Sequence, residues 1–289
     1  MLTLIEILKK SEEYLSKHGI QDARHNAELL ASHVLGKPRI QLYLEYDKPI
    51  GESEIVQLRA ALAERKTHKP VQYIFGEAEF YGITFSLNPD VLIPRPETEL
   101  LVEEALKTTK LVKPEKPVIY DVGTGSGCIA ISIAKHCDNC FVYASDVSAE
   151  ALKIASANSA RNGVSEKIEF FLGREFRPFI DAAVPKADII VSNPPYIKTA
   201  DLNSLQPEVK DFEPRKALDG GSDGLDTIKQ LIAGFGDIVN AGGILMMEIG
   251  FRQSEGVSEF IKADGGAVLL RTIKDLQGID RIVVIEKRK

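Results

Sequence analysis

The stretch Val118-Ile119-Tyr120-Asp121-Val122-Gly123-Thr124-Gly125-Ser126-Gly127-Cys128 decides the fold. The apolar run 118–122 has the length of a buried strand, and the spacing predicts a helix from Cys128 onward. Three alternating glycines join the two. Glycines there let the backbone turn sharply and approach a ligand closely, and the helix N-terminus favours electron-rich groups. The spacing separates possible ligands. A dinucleotide fingerprint, GxGxxG, would put its third glycine at 128, where this chain has Cys128. A P-loop would need Gly-Lys-Ser/Thr after the turn, and none follows. Asp146 closes the next strand about twenty residues on, where a carboxylate can accept both hydrogen bonds of a ribose diol. Dinucleotide enzymes use an acid at the same place, so Asp146 alone does not discriminate.

Outward from this loop the pattern continues to alternate. Strand-length apolar runs stand at Val118–Val122, Phe141–Ala144, Ile168–Leu172, Ile189–Ser192, Ile244–Ile249, Val268–Leu270 and Ile282–Ile285, separated mostly by helical stretches. That is an α/β domain with a mostly parallel, seven-stranded sheet. The last two runs lie too close for a parallel crossover, so they pair antiparallel. The fourth run leads directly into Asn193-Pro194-Pro195-Tyr196. Ligands of open parallel sheets lie at the carboxyl ends of the strands, which sets this tetrapeptide beside the ligand of the glycine loop. Two prolines make it stiff and leave mainly carbonyl acceptors. The Asn193 side chain adds an acceptor and Tyr196 a flat face. Together they suit a planar NH2 group, with two acceptors for its N–H bonds and a ring on its plane. An amide or aromatic amino nitrogen is a poor nucleophile, and positioning with fixed dipoles can aim its lone pair at an electrophile.

The flanks of the chain are plainer. Residues 1–75 read as a helical bundle. Thr3 and Glu6 fit a capping box, Asp22 can cap a second helix ending near Gly36-Lys37-Pro38, and a third runs from about Ser53 to Lys66. This segment holds 11 Lys/Arg and 10 Asp/Glu, so it is not a basic nucleic-acid arm. Residues 76–93 read as a β-hairpin linker, with Phe80, Tyr81 and Phe85 as hairpin packing and a turn at Asn88-Pro89-Asp90. The domain that follows spans 94–289. Of 289 residues 44% are apolar, which supplies a core, while 36 Lys/Arg against 42 Asp/Glu give −6 and argue against direct binding of DNA. No run is long enough to span a membrane, and MLTLIEILKKSEE is neither a secretory signal nor an Arg-rich transit peptide, so the cytoplasm is the expected location. Cys137 and Cys140 form a lone CxxC that reads as reduced thiols, and no metal site is expected. None of the five histidines sits in a motif, and nothing in the chain demands an oligomer.

DxGxGxG followed by Asn-Pro-Pro-Tyr resembles the amino-directed branch of class I S-adenosylmethionine-dependent methyltransferases, a Rossmann-like fold. Leu92-Ile93-Pro94-Arg95-Pro96-Glu97-Thr98-Glu99 and the stretch from Phe212-Glu213-Pro214-Arg215 to Gly224-Leu225-Asp226 are similar to signatures of the release factor glutamine methyltransferases, the PrmC or HemK family. The resemblance covers essentially the whole chain. It implies methyl transfer from S-adenosylmethionine to the side-chain nitrogen (N5) of the glutamine in the Gly-Gly-Gln motif of bacterial class-1 peptide chain release factors. Carried onto this sequence, Gly123, Thr124, Gly125, Ser126 and Gly127 cradle the methionine portion of the cofactor and Asp146 holds its ribose. Asn193 and the Pro194 carbonyl bind the glutamine amide, with Pro195 stiffening the turn and Tyr196 packing on the amide. The helical domain would grip the release factor. Arg95 and Glu97 read either as substrate contacts or as solvated charges at a helix start. One departure stands out. Many members carry an Asp and an aromatic near the adenine, and here the segment is Gly173-Arg174-Glu175-Phe176, so Glu175 or a backbone group must serve, with Leu92 or Ile93 as walls. The connection 197–224 is long for a compact domain and reads as a rim over the substrate. An alternative within the same chemistry is a nucleic-acid methyltransferase acting on adenine N6 or guanine N2, which would need a basic groove.

Overall fold

A computed structural model describes residues 2–111 and 115–288. The chain divides into two compact units: Met1–Glu77 with Gln206–Phe212, and Ala78–Leu205 with Glu213–Lys289.

The first unit carries α1 (Leu4–Lys17), α2 (Ala23–Leu35), α3 (Arg39–Leu44), α4 (Glu52–Arg65) and α5 (Val71–Phe75). The expected capping box forms, with the Thr3 N–H donating to Glu6 Oε2 at 2.8 Å. Leu8, Leu15, Leu30 and Leu42 are fully buried in one cluster with Leu58 and Leu62. Burying a leucine stabilises by roughly 1.5–3 kcal/mol. Buried Glu28 ties α2 to α3, accepting from Arg24, Arg39 and Tyr43 at 2.6–2.7 Å. Three features depart from the sequence reading. Asp22 stands at the N-cap of α2 in the left-handed region (φ 48°), and its side chain caps nothing; its carbonyl takes the Asn26 N–H instead. The short helices α3 and α5 went unread because one or two turns give no measurable period; Pro38 and Pro70 start them. Most notably, Gln206–Phe212, expected as part of the substrate rim, belongs to this unit. Glu208 there accepts from Arg65 Nη2 at 2.8 Å, and the same guanidinium donates to Asn26 Oδ1.

The second unit follows the alternation read from the sequence. The hairpin of β1 (Glu77–Phe80) and β2 (Ile83–Ser86) precedes α6 (Glu99–Thr109), β3 (Val118–Val122), α7 (Cys128–His136), β4 (Phe141–Asp146), α8 (Ala149–Arg161), β5 (Ile168–Leu172), α9 (Arg177–Asp181) and β6 (Ala187–Ser192). After α10 (Pro207–Lys210), which lies in the excursion to the first unit, come α11 (Asp226–Ile238), β7 (Val239–Glu248), α12 (Ser254–Asp264), β8 (Ala267–Lys274) and β9 (Asp280–Lys287). The sheet order is β5-β4-β3-β6-β7-β9-β8. Pairs from β5 to β7 are parallel, and β9 runs antiparallel to both β7 and β8, as the short connection 275–279 requires. Every residue of β6 is buried, the pattern of a central parallel strand covered on both faces. On one face Ile228, Leu231, Ile232 and Phe235 of α11 join the cluster containing Tyr120, Ile190 and Leu245.

This order fixes where chemistry can happen. The chain builds outward from β3 through β4 to β5, then returns to lay β6 on the other side of β3. Their carboxyl ends therefore meet at the switch point, with Asp121 opposite Val191 and Val122 opposite Ser192. The glycine loop and the Asn-Pro-Pro-Tyr turn leave from those two adjacent strand ends. The CxxC lies elsewhere, at the end of α7, where the Cys140 thiol contacts the Cys137 carbonyl and burial pushes its pKa up to about 12.

Candidate active site

The glycine loop is held from below. Asp121 is fully buried and accepts from the Thr124 hydroxyl (2.6 Å) and the Ala130 N–H (3.1 Å). Burial pushes its carboxyl up to about 7, against those two hydrogen bonds. Gly123 and Thr124 both donate N–H to the Ser145 carbonyl. Gly123, Gly125 and Gly127 all have φ between 56° and 82°. At Gly127 the need for glycine is double, because a Cβ would lie 2.8 Å from Ile131 Cδ1 and 3.3 Å from Ala155 Cα. Above Gly123 and Gly125 the corresponding space is open. Asp146 closes the loop: Oδ2 accepts from the Gly125 N–H and Oδ1 from the Ser148 N–H, both at 2.9 Å. Burial raises its pKa while these donors oppose the shift.

At the neighbouring strand end the turn is held by side chains. Asn193 Nδ2 donates to Thr98 Oγ1 at 3.1 Å. Thr98 donates in turn to Glu248 Oε2 at 2.6 Å, and the Tyr196 hydroxyl donates to Glu248 Oε1 at 3.1 Å. Glu248 is 1% exposed; burial raises its pKa against these hydroxyls. The Tyr196 phenol is raised as well, by burial and by the charge of Glu248. Ser192 Oγ donates to the Val122 carbonyl at 2.7 Å and locks this strand end to the start of the glycine loop. Among the described residues no donor reaches Asn193 Oδ1 or the Pro194 carbonyl.

The stretch after 212 comes back onto this turn. Ile197 pairs in parallel with Asp219, giving its N–H to Leu218 and taking that of Gly220. Gly220 passes so close that a Cβ would stand 2.8 Å from the Pro195 carbonyl and from Tyr196 Cα. Gln253 completes the clamp, donating to the Tyr196 and Gly224 carbonyls and accepting from the Gly250 N–H. Arg95 is committed to buried Glu213 at 2.6 Å, so it joins the stretch before α6 to the returning segment. Glu97 is half-buried one residue before Thr98.

Residues 6–76 match the family model described as PrmC N-terminal domain, and residues 96–207 match the methyltransferase small domain. A Geobacter sulfurreducens protein named release factor glutamine methyltransferase is 41% identical over 281 residues, covering 97% of this chain and 95% of that protein. The chain belongs to the release factor glutamine methyltransferase family. A Bacillus subtilis protein of the same name is 40% identical over 294 residues, covering 100% of both. Among solved structures, ribosomal protein L11 methylase from Lactobacillus delbrueckii subsp. bulgaricus matches with a TM-score of 0.50 at 20% identity, over 70% of this chain and 84% of that one. That likeness concerns the fold: the mostly parallel seven-stranded sheet is that of the class I methyltransferases.

Within this member of the release factor glutamine methyltransferase family, the departure at 173–176 has a definite shape. Glu175 adopts φ 46°, a conformation that strains a residue with a Cβ, and its carbonyl accepts from Ser145 Oγ. Gly173 donates to the Asp146 carbonyl. The segment thus lies against the Asp146 end of the loop, and burial raises the Glu175 pKa. The sequence reading overlooked Glu248, Gln253 and Asn158. Asn158 is fully buried and donates to the Ser126 and Ser86 carbonyls, bracing the glycine loop on the hairpin. A usable signal existed for Glu248 alone: a charged residue ending the apolar strand run 244–248, at the edge where ligands sit. Asn158 lies within α8 and Gln253 just before α12, with nothing in their neighbours to mark them.

Proposed function

We propose that this protein transfers a methyl group from S-adenosylmethionine to the side-chain amide nitrogen of the glutamine in the Gly-Gly-Gln motif of bacterial class-1 release factors. One observation carries the reading. A rigid pair of acceptors, Asn193 Oδ1 and the Pro194 carbonyl, stands beside the glycine loop without a donor among the described residues, in a chain about 40% identical over its full length to relatives of that name.

The residues present fit the cofactor. Gly123 and Gly125 leave open space where side chains would stand. Each oxygen of Asp146 accepts one backbone N–H, which leaves lone pairs for a ribose diol. Glu175 and the backbone at 173–175, which lie against the Asp146 end of the loop, would serve the adenine. S-adenosylmethionine held there supplies a methyl carbon activated by positively charged sulfur.

The protein's own part is orientation. A glutamine amide nitrogen delocalises its lone pair into the carbonyl, so it attacks poorly while planar. Asn193 Oδ1 and the Pro194 carbonyl accept its two N–H bonds and turn the lone pair toward the glycine loop. Pro194 and Pro195 hold these dipoles fixed, so little reorganisation accompanies the reaction. Tyr196 covers the amide plane. As the N–C bond forms and the S–C bond breaks, the nitrogen becomes acidic. Its proton leaves through one of the two acceptors to water. No strong base is needed, in keeping with the lack of a histidine at this turn. The helical unit, 6–76, takes the role of gripping the release factor, and the reaction belongs in the cytoplasm with the ribosome.

The test is transfer from labelled S-adenosylmethionine to a purified bacterial release factor, read by peptide mass spectrometry. The expected result is one added methyl on the Gly-Gly-Gln glutamine, absent when that glutamine is alanine. Transfer to DNA or ribosomal RNA with none to the factor would overturn the substrate while leaving the amino-directed site intact.

A further inference from the structure

We propose that Glu248 and Thr98 are positioning residues that decide which atom of Asn193 faces the substrate. The proposal rests on the methyl-transfer reading above and extends it to two side chains that touch neither substrate nor cofactor.

An asparagine amide has two faces of opposite character, an oxygen that accepts and an NH2 that donates. Only one polarity is useful here. The substrate amide brings N–H donors, so Asn193 must offer Oδ1; a reversed amide would set NH2 against NH2. Nothing within Asn193 fixes this choice. Its partner Thr98 has one proton and could either donate to Oδ1 or accept from Nδ2. Thr98 has no freedom, however, because it sits 2.6 Å from Glu248 Oε2. While Glu248 is ionised it only accepts hydrogen bonds. The single Thr98 proton is therefore committed to Glu248, and Thr98 Oγ1 can only accept from Asn193. The amide then has one setting, Nδ2 to Thr98 at 3.1 Å and Oδ1 outward. The charge on Glu248 thus specifies an acceptor two hydrogen bonds away.

The second carboxylate oxygen does the same for the other wall of the site. Glu248 Oε1 takes the Tyr196 proton and so fixes the edge of the ring that packs on the amide. Three elements converge on this one side chain: β7 carries Glu248, the start of α6 brings Thr98, and the turn after β6 brings Tyr196. A carboxylate 1% exposed with only two hydroxyl partners is costly to bury. The charged groups that act on it are Arg281 of β9, which is paired with Asp275 at 2.9 Å, and Glu97. An apolar residue there would pack against the sheet without this penalty, so the carboxylate is retained for what it orients.

The experiment compares full-length wild type with Thr98→Val, Thr98→Ser and Glu248→Gln. Two readouts are used. The first is the side-chain amide signal of Asn193 in protein labelled with 15N-asparagine, assigned by its loss in Asn193→Asp. The second is kcat and KM for release-factor methylation, with affinity for S-adenosylhomocysteine and Tm alongside. In wild type and Thr98→Ser, one Nδ2 proton exchanges slowly. In Thr98→Val it exchanges with solvent, and kcat falls about 10–100-fold, the loss of about 1.4–2.8 kcal/mol of orientation. KM and S-adenosylhomocysteine affinity stay within about 3-fold of wild type, since neither residue touches a ligand. Glu248→Gln gives a smaller fall in kcat, because one of its two amide settings still presents an oxygen to Thr98. It also flattens the acid limb of the kcat–pH profile, where protonated Glu248 would free Thr98 to donate to Oδ1. An unchanged Asn193 signal in both Thr98→Val and Glu248→Gln overturns the relay. So does an equal loss in Thr98→Ser and Thr98→Val, which would make Thr98 a packing residue. Failure of the wild type to methylate the factor would strike the substrate reading alone, since the amide signal tests the relay without substrate.

Discussion

The two halves of the site are made of opposite materials. At the end of β3 the surface offered to a ligand is main chain, three glycines at positive φ with open space above two of them. At the end of β6 it is side chain, with Asn193, Thr98, Glu248 and Tyr196 bonded in series. The first works because atoms are absent, and adding one destroys it. The second works because its side chains hold one another in place, and removing one loosens the rest. The difference teaches what each half holds. On the proposed function, the first half suits a cofactor held by backbone groups and the second a small amide whose nitrogen must be aimed.

The strongest way to break this comparison is Asn193→Ala. Losing one preorganised acceptor lowers kcat by about 10²–10³-fold, while S-adenosylhomocysteine affinity by calorimetry stays unchanged. A matching loss of affinity would mean the halves are not separate. Gly127→Val attacks the other half. Its Cβ would strike Ile131 and Ala155, destabilising the fold by about 1–3 kcal/mol in urea and weakening cofactor binding, with kcat recovered at saturating cofactor. Asp121→Asn sharpens the comparison through pH. Asp121 is raised from 3.8 to about 7, so its protonated form favours the folded state. That stability is fully present below about 4 and is lost as pH rises through about 7. Unfolding measured between pH 4 and 8 shows this decline in the wild type and a flatter curve in Asp121→Asn. Tyr196→Phe is the mildest change. It keeps the ring, removes one hydrogen bond from Glu248, and costs about 0.5–1.5 kcal/mol in kcat/KM.

The backbone half was legible in the sequence, since its signal is the spacing of Gly123, Gly125 and Gly127 in one contiguous run. The tetrapeptide was legible for the same reason, and strand alternation placed both at neighbouring strand ends. The antiparallel pairing of β8 with β9 followed from the short connection 275–279, whereas the place of β9 beside β7 did not. What stayed hidden is what acts across the fold. Glu248 meets Thr98 only because the start of α6 packs against β7, a separation of 150 residues that no local pattern encodes. Arg95 read as a substrate contact or a solvated charge, not as one arm of an ion pair, because its partner, Glu213, stands 118 residues away. Asp22 shows the converse limit: the residue type suits a cap, but the left-handed backbone there turns the carboxylate away.

The Gln206–Phe212 excursion carries a consequence for how the protein is made. A ribosome delivers the helical unit's first 77 residues early, but the last piece of that unit arrives only after four strands of the seven-stranded sheet have been synthesised. Until then Arg65, 6% exposed in the finished fold, lacks its carboxylate Glu208. The amino-terminal unit therefore cannot reach its final state as a nascent fragment, and a gene cut after residue 77 would encode an unfinished object. Each polypeptide crosses between the units three times, at 77/78, 205/206 and 212/213. Evolution could exchange a domain joined by one crossing as a cassette; three crossings bind these two into a single inherited piece.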